Sequence, residues 1–485
     1  MSDSSYIDTA RNAALAFGDS LLGLARPRLR LGVTGLSRSG KTVFTTALIQ
    51  NLIESAKLPV LKAASQGRIT RVRLVPQPDP DVPRFPYEAH RAAMNGPDRH
   101  WPESTRRISE LRVEIDYERA SGLFKGPATL TLDIVDYPGE WLLDLALIGQ
   151  DYKAWSAQAV ADARKAHRQM AAADWLADLP GRDPDGPPDE LAAEAASDLF
   201  KGYLARLRAN PEAVAVTPPG RFLMPGDLDG SPALTFCPLP GSVADAPSGS
   251  LGRMMARRYE SYKSVVVKPF FRDHFARLDR QIVLVDALHA LNAGPAAVAD
   301  LSGAMTEILG AYRPGATSWL GGLLTRRIDR ILIGATKADH LHHADHDRLE
   351  RILGHLLAPA VTRAEEAGAR VEIAALASVR ATREGVVSNG NQKLPSIIGT
   401  PLAGEVFDGE TYDGRTEIAF FPGDLPDKPE SALEGLDSTS QADAALRFVR
   451  FRPPQLERTA EGMKLSLPHI RLDRALEFLI GDRLA

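Results

Sequence analysis

The sequence predicts an α/β protein with an open, mostly parallel sheet, a large helical insertion and a small β-rich C-terminal appendage. Short apolar runs that are typical of buried strands occur at residues 28–34, 281–286 and 330–335. Segments with apolar residues every three or four positions separate them, as expected for helices between parallel strands. Ligands bind such sheets beyond the carboxyl ends of the strands, so we expect the functional site there.

The first part of the chain contains a predicted helix, a strand and a second helix. An apolar stripe at residues 5–25 indicates a helix that Pro27 would end. The strand at 28–34 leads into a loop rich in Gly and Ser, and residues 41–56 regain helical spacing. This strand–loop–helix order is expected at the start of the sheet.

A hairpin is predicted further along. Residues 57–104 are rich in Pro, Arg and Asp and are expected to be irregular. Residues 108–117 alternate polar and apolar side chains, and residues 128–135 are mostly apolar. Glycines separate the two runs, so we predict an antiparallel hairpin at a sheet edge.

The remaining elements follow from changes of pattern after residue 150. The chain is helical and Ala-rich to about residue 212, apart from a turn at 180–188, and 385 onward is rich in Gly and Pro. Further predicted elements are helices at 250–276, 295–313, 346–368 and 470–483 and a strand at 370–376. With 485 residues, the chain needs more than one core. The predicted divisions are an N-terminal helix at 1–27, the sheet domain at 28–149 and 281–384, a helical insertion at 150–280, and the appendage at 385–485.

Composition narrows the function. The formal net charge is −4 with 25% charged residues, so no basic surface for nucleic acid is expected. The single cysteine, Cys237, allows no internal disulfide and fits a reducing, cytoplasmic location. No apolar run is long enough for a transmembrane segment, and the N-terminus does not have the pattern of a secretory signal.

A phosphate-binding loop follows the first strand. Residues 35–42 read Gly-Leu-Ser-Arg-Ser-Gly-Lys-Thr, a full match to the G-x-x-x-x-G-K-[ST] motif between a strand and a helix. The glycines let backbone N–H groups converge on the phosphates, the lysine adds a cation, and the threonine hydroxyl can bind Mg²⁺. The predicted nucleotide-binding residues here are Gly35, Ser37, Arg38, Ser39, Gly40, Lys41 and Thr42.

A second phosphate element ends the 128–135 run. Asp136 follows the apolar strand, and Gly139 comes three residues later. An acid at a strand end can hold Mg²⁺ as a Walker-B residue does, and a glycine N–H can approach a γ-phosphate closely. The pattern is weak alone, but its position after a phosphate loop favours this interpretation.

The strand at 330–335 runs into a predicted base-reading element, Thr336-Lys337-Ala338-Asp339. The Asp339 carboxylate can accept hydrogen bonds from N1–H and the exocyclic amine of guanine, whereas adenine presents an acceptor at N1. The alkyl stem of Lys337 can pack on the base. These residues therefore favour guanine.

The order of the three motifs resembles that of the Ras-like GTPases, and the wider pattern resembles the YcjX family of bacterial P-loop stress proteins over nearly the whole chain. This resemblance implies a cytoplasmic nucleotide hydrolase linked to envelope stress. One option is a partner protein of the inner membrane that is itself a stress protein, with this chain bound peripherally at that membrane. A homodimer is a further option. The motifs that carry it are residues 35–42, Trp101-Pro102, residues 136–140, Asp286-Ala287-Leu288, residues 336–339 and residues 376–380.

The Ras-like pattern also implies roles for individual residues. Thr105 matches the switch threonine that reaches Mg²⁺, with Ser104 as the competitor. Glu140 stands where Ras-like proteins carry the glutamine that orients the attacking water. The loop that supports guanine is reduced to Ala377-Ser378-Val379, which departs from the usual Ser-Ala-x and leaves the contacts of Ser378 and Val379 open.

The leading prediction is a GTP-binding protein that hydrolyses GTP to GDP with Mg²⁺ and acts as a nucleotide-dependent switch. Lys41, Glu140 and Arg38 are the catalytic candidates, with Arg38 supplying positive charge beside the phosphates or across a dimer. One alternative is an ATPase with the same phosphate machinery. Another is a nucleotide-binding scaffold that hydrolyses slowly, which the negative charge of Glu140 favours. The insertion at 150–280 is the expected partner-facing part.

Overall fold

The computed structural model describes most of the chain. The predicted helix at 5–25, Ser37, Ser104 and Thr105 lie outside the described residues. The described ranges are 27–36, 38–54, 58–103, 107–120, 126–210, 218–225, 228–241, 246–310, 328–389, 392–407, 409–433, 448–456 and 466–485.

One mixed sheet organises the fold. Among the described residues it has seven strands in the order β2-β3-β4-β1-β5-β6-β7. The pairs β1–β4, β1–β5, β5–β6 and β6–β7 are parallel, while β2–β3 and β3–β4 are antiparallel. The predicted open, mostly parallel sheet is thus confirmed. Its strands are β1 (Arg28–Gly35), β2 (Ile69–Val75), β3 (Ser109–Arg119), β4 (Gly126–Asp136), β5 (Arg280–Val285), β6 (Arg330–Ala335) and β7 (Arg370–Ala375).

Helices cover both faces of the sheet, as the alternating pattern predicts. In the described ranges they are α1 (Lys41–Glu54), α2 (Lys62–Ser65), α3 (Tyr87–Asn95), α4 (Glu140–Leu147), α5 (Tyr152–Ala163), α6 (Ala166–Asp178), α7 (Glu190–Ala209), α8 (Leu251–Tyr262), α9 (Lys268–Asp273), α10 (Ala287–Ala293), α11 (Pro295–Gly310), α12 (His346–Glu366), α13 (Pro429–Leu433) and α14 (Leu472–Ile480). The helix predicted at 250–276 is α8 and α9 joined by a π-helical turn at Lys263–Val267.

The prediction that residues 57–104 are irregular is wrong. They contain α2, α3 and the edge strand β2, so the β3–β4 hairpin lies one strand inside the edge. Strand β2 reads Ile-Thr-Arg-Val-Arg-Leu-Val and is at most half-buried, so its arginines obscure a strand pattern. Pairing with β3 stabilises it, because Arg73 forms ion pairs with Glu114 and Asp116 on that strand.

The C-terminal helix packs on the main sheet. Leu476 and Leu479 of α14 are buried in the same core as Leu31 of β1 and Phe44 of α1. Arg280 at the start of β5 is fully buried and donates to the Leu479 carbonyl at 2.5 Å. The end of the chain therefore supports the sheet from which the phosphate loop emerges.

Helices α5 to α9 lie between α4 and β5, are joined by irregular segments and pack around an aromatic core. Trp155, Trp175 and Phe200 are buried there, and Trp155 stacks on Tyr259 at 5.0 Å between ring centroids. This core is continuous with the one behind α4 and α10 to α12. The insertion is thus packed against the sheet domain.

The described part of the C-terminal region is a small antiparallel β structure, as predicted. It contains β8 (Arg383–Asn389), β9 (Gln392–Gly399), β10 (Val406–Phe407), β11 (Glu410–Thr411) and β12 (Ile418–Phe420), with order β12-β9-β8 in one sheet and β10-β11 in another. Across the described ranges, no helix combines the length and apolar character needed to cross a membrane.

Candidate nucleotide-binding site

The loop between β1 and α1 depends on two glycines. A Cβ at Gly35 would lie 2.4 Å from both the Leu284 carbonyl oxygen and the Ser39 Oγ, so only glycine fits there. Gly40 has φ 81°, a left-handed conformation that glycine adopts without steric cost. The chain then enters α1 at Lys41, which directs the first free N–H groups of that helix toward the loop.

Polar side chains of this loop are buried. The Lys41 Nζ donates to the Gly35 carbonyl at 2.8 Å, and the Thr42 hydroxyl donates to the Glu103 carbonyl at 3.3 Å. Ser39 is 1% exposed, and its Oγ has no hydrogen-bond partner among the described residues. A buried hydroxyl without a partner is unfavourable unless a ligand supplies one. These features fit a phosphate group.

The acidic turn after β4 meets the phosphate loop directly. Asp136 pairs in register with Val33 of β1 and is 1% exposed. A Cβ at Gly139 would lie 1.9 Å from the Gly35 carbonyl oxygen, which no side chain could tolerate. The structure thus places Asp136 and Gly139 beside the loop, as the sequence predicts.

Residues 336–339 lie at the carboxyl end of β6. Thr336 is buried, and its N–H and hydroxyl both donate to the Val285 carbonyl, at 2.8 and 3.2 Å. Lys337 has φ 61° and its ammonium group forms an ion pair with Asp286 at the end of β5. The Asp286-Ala287-Leu288 motif therefore contacts the predicted base-reading loop through this ion pair.

Asp339 contacts the loop that follows β7. Its Oδ2 accepts from the Ala381 N–H at 2.9 Å, and the Thr382 hydroxyl donates to its main-chain carbonyl. The predicted supports Ser378 and Val379 lie in the same loop, and Val379 is buried. The contacts to Asp339 come instead from the Ala381 N–H and the Thr382 hydroxyl. Sequence reasoning missed both, because a backbone donor leaves no signature in residue type and a single threonine in a loop does not stand out.

Glu140 and Arg38 both face the helical insertion. Glu140 begins α4, is 2% exposed and has its Oε1 3.6 Å from the Arg208 Nη2 at the end of α7. Arg38 has φ 63°, is exposed, and its Nη2 donates to the Ala209 carbonyl at 3.4 Å. Sequence reasoning missed Arg208, since nothing in α7 marks it as close to residue 140.

A buried carboxylate joins α4 to the insertion. Asp144 is 2% exposed and accepts hydrogen bonds from the Gly220 N–H at 2.6 Å and the Tyr262 hydroxyl at 2.6 Å. Burial raises the pKa of Asp144 to about 6 despite these bonds. The Arg221 guanidinium lies 3.2 Å from the ring centre of Trp141, which adds a cation–π contact.

A histidine-rich group lies near the appendage. His342, His343 and Glu384 have potential ligand atoms within 4.8 Å of one another. His343 Nδ1 is 2.7 Å from Glu384, which is also 3.3 Å from the Arg380 guanidinium. His346, four residues after His342, turns away and lies 2.9 Å from the Ala338 carbonyl. Glu384 is thus shared between His343 and the Arg380 guanidinium.

The sheet order, the glycine-dependent loop and the acidic turn define a Ras-like P-loop α/β fold. Residues 29–484 match the family described as "YcjX-like family, DUF463", and the chain belongs to this family. It is 37% identical to the "Ras-like GTPase YcjX" of Escherichia coli over 469 residues, covering 94% of this chain and 96% of the relative. It is 33% identical over 479 residues to the protein of the same name from Shewanella oneidensis, covering 94% of each.

Proposed function

We propose that this protein binds GTP with Mg²⁺ and hydrolyses it to GDP and phosphate. The observation that carries the proposal is the close approach of Gly139 to the Gly35 carbonyl, to which the Lys41 ammonium also donates, because it joins the two segments proposed to contact the phosphates. The names of the two relatives as Ras-like GTPases support the same function. An exposed turn that matched the motif by chance would not bury Ser39, Lys41 and Thr42 together.

Different residues of the chain would bind the phosphates and orient the attacking water. Backbone N–H groups of residues 35–42 and the Lys41 ammonium would hold the β- and γ-phosphates, and the Gly139 N–H would meet the γ-phosphate. Glu140 would orient a water whose oxygen bonds to the γ-phosphorus. The bond to the β,γ-bridging oxygen then breaks and leaves its electron pair on GDP, while the water's proton passes to the released phosphate or to solvent.

The donor set fits Mg²⁺. Thr42 and Asp136 are buried oxygen donors on neighbouring elements, α1 and β4, and Mg²⁺ prefers such hydroxyl and carboxylate ligands. Thr105, or Ser104, would complete the set from the switch segment. When bound, the ion neutralises charge on the phosphate oxygens.

Guanine recognition would rest on Asp339. Its Oδ2 accepts one hydrogen bond from the Ala381 N–H, which fixes the carboxylate at the end of β6. Thr336 and Lys337 hold the loop, and Ser378 and Val379 lie in the adjacent loop. Asp339→Asn should weaken GTP and improve XTP relative to GTP. Competition of GTP, XTP and ATP for a fluorescent nucleotide measures this, and equal GTP and ATP affinity in the wild type would favour an ATPase.

The phosphate loop has its own test. Lys41→Ala should abolish tight triphosphate binding, because the β- and γ-phosphates lose their cation. Titration calorimetry with GTP and GDP measures it, and Lys62→Ala on α2 is a control because Lys62 is an exposed lysine in an ion pair with Glu477. Wild-type GTP affinity in Lys41→Ala would show that the phosphate-loop assignment is wrong.

The insertion at 150–280 is the proposed reader of the nucleotide state. Gly220, Arg221 and Tyr262 all contact α4, which follows the residues proposed to meet the γ-phosphate. Movement of α4 would therefore be transmitted to the insertion. Hydrogen exchange with GDP and with a non-hydrolysable GTP analogue should differ at 218–224. Changes confined to the phosphate loop would contradict a switch.

The family resemblance supports a role in envelope stress, with peripheral binding to an inner-membrane stress protein or a homodimer as options. Retention of the purified chain on inner-membrane vesicles, compared with protein-free liposomes, tests the membrane partner. Light scattering with each nucleotide tests the dimer. A chain that is monomeric and does not bind the vesicles in any nucleotide state would refute both options.

A further inference from the structure

Glu140 occupies an unusual position for a carboxylate. It is 2% exposed, and its Oε2 has no hydrogen-bond partner within the described ranges. Glu140 follows Gly139, whose backbone lies against the phosphate loop. The backbone of Gly220 packs on Glu140 so closely that a Cβ at Gly220 would lie 2.2 Å from the Glu140 carbonyl oxygen. Burying a carboxylate with one oxygen unused is costly unless its charge is compensated.

The compensating charge comes from the insertion. The Arg208 Nη2 lies 3.6 Å from the Glu140 Oε1, a distance of an ion pair rather than a hydrogen bond. The Arg208 side chain is 28% exposed, so it is partly buried beside Glu140. Because the two groups are paired by charge alone, Glu140 keeps its hydrogen-bonding capacity for another molecule.

The phosphate loop helps to hold Arg208 in place. Arg38 donates to the carbonyl of Ala209, the last residue of α7, and a cation at a helix C-terminus is favourable. Leu207 is 1% exposed and anchors the same turn in the insertion core. The end of α7 is therefore fixed between the phosphate loop and the start of α4.

We propose that Arg208 is a positioning residue for hydrolysis, acting through Glu140. This role rests on the proposed function. A carboxylate beside the γ-phosphate is repelled by it, and a water-orienting glutamate would swing away. The Arg208 charge offsets that repulsion, so Glu140 can stay in place and accept a hydrogen bond from the attacking water. The helical insertion thus completes the hydrolytic site.

Steady-state hydrolysis by three variants tests the role. Arg208→Ala should lower kcat by on the order of tenfold to a hundredfold with little change in KM for GTP, since Arg208 does not touch the nucleotide. Arg208→Lys should recover part of the loss because it restores the charge. Arg206→Ala is the matched control, as Arg206 lies on the same helix but pairs with Asp174 and the Ala171 carbonyl; it should behave as wild type.

A double-mutant cycle separates positioning from a structural effect. Glu140→Gln is neutral and needs no countercharge, so adding Arg208→Ala to it should change kcat by less than about threefold. Arg208→Met keeps the packing of the alkyl stem and serves if the alanine variant unfolds. A wild-type kcat in Arg208→Ala would overturn the role. So would an equal fall in kcat when Arg208→Ala is made in the wild type and in the Glu140→Gln variant. A wild-type chain that binds GTP without hydrolysing it refutes the proposed function itself.

Discussion

Gly220 holds the insertion against α4, and replacing it with alanine should loosen that contact. The new Cβ would lie 2.2 Å from the Glu140 carbonyl oxygen and 2.6 Å from its carbonyl carbon. Carbon–oxygen contacts normally need about 3.3 Å, so the backbone must move by about 1 Å. That movement would stretch the 2.6 Å hydrogen bond from the Gly220 N–H to Asp144 beyond its normal range.

Two costs add to give the expected magnitude. Overpacking of a tight contact costs about 1–3 kcal/mol, and a hydrogen bond to a charged group contributes about 1.5–3 kcal/mol. A Gly-to-Ala change returns about 0.4–1 kcal/mol by restricting the unfolded chain. The net loss for Gly220→Ala is therefore about 3 kcal/mol, a large part of the stability of an ordinary domain.

Urea unfolding and hydrogen exchange measure the effect. Gly220→Ala should lower the free energy of unfolding and raise exchange in residues 140–147. Gly181→Ala is the control, because Gly181 is also in the insertion but a Cβ there meets nothing within 4 Å. A free energy of unfolding for Gly220→Ala within about 0.5 kcal/mol of the control, with unchanged exchange, would refute the reasoning.

Two further predictions concern buried charge. Burial raises the pKa of Asp144 from 3.8 to about 6, so its stabilising contribution is fully present below about pH 4 and lost as pH rises through about 6. Wild-type stability should fall relative to Asp144→Asn by about 3 kcal/mol between those limits, measured by urea unfolding; a constant difference would contradict this. Arg280→Met should lower the melting temperature by the equivalent of about 1–3 kcal/mol, because the buried Leu479 carbonyl loses its donor and Asp329 and Asp482 lose their shared cation; an unchanged melting temperature would count against it.

The sheet strands and phosphate motifs were accessible to sequence reasoning because their signals are local. The apolar runs that became β1, β5 and β6 were predicted within one residue at each end. Elements with mixed patterns were not, as β2 shows, since the partners of Arg73 lie on another strand. The C-terminal helix was predicted, but its place beneath the main sheet was not.

The candidate site divides in the same way. Gly35, Gly40, Lys41 and Thr42 act within one loop, so residue types at a set spacing identify them. Asp339 was identified from its motif, but its contact with Ala381 depends on two strands lying side by side. The predicted contribution of Thr105 lies outside the described residues and stays a prediction.

By itself the sequence determined the class of fold, the phosphate loop and the acidic turn, because each depends on backbone geometry and hydrogen bonding within a few consecutive residues. Only the tertiary structure decided that Arg208 meets Glu140, that Asp286 pairs with Lys337 and that Gly220 lies on α4. Asp286 and Lys337 lie 51 residues apart along the chain, and Gly220 lies 76 residues from Asp144 of α4. Contacts of this kind follow from how apolar faces pack in three dimensions, which residue types and spacing do not encode locally.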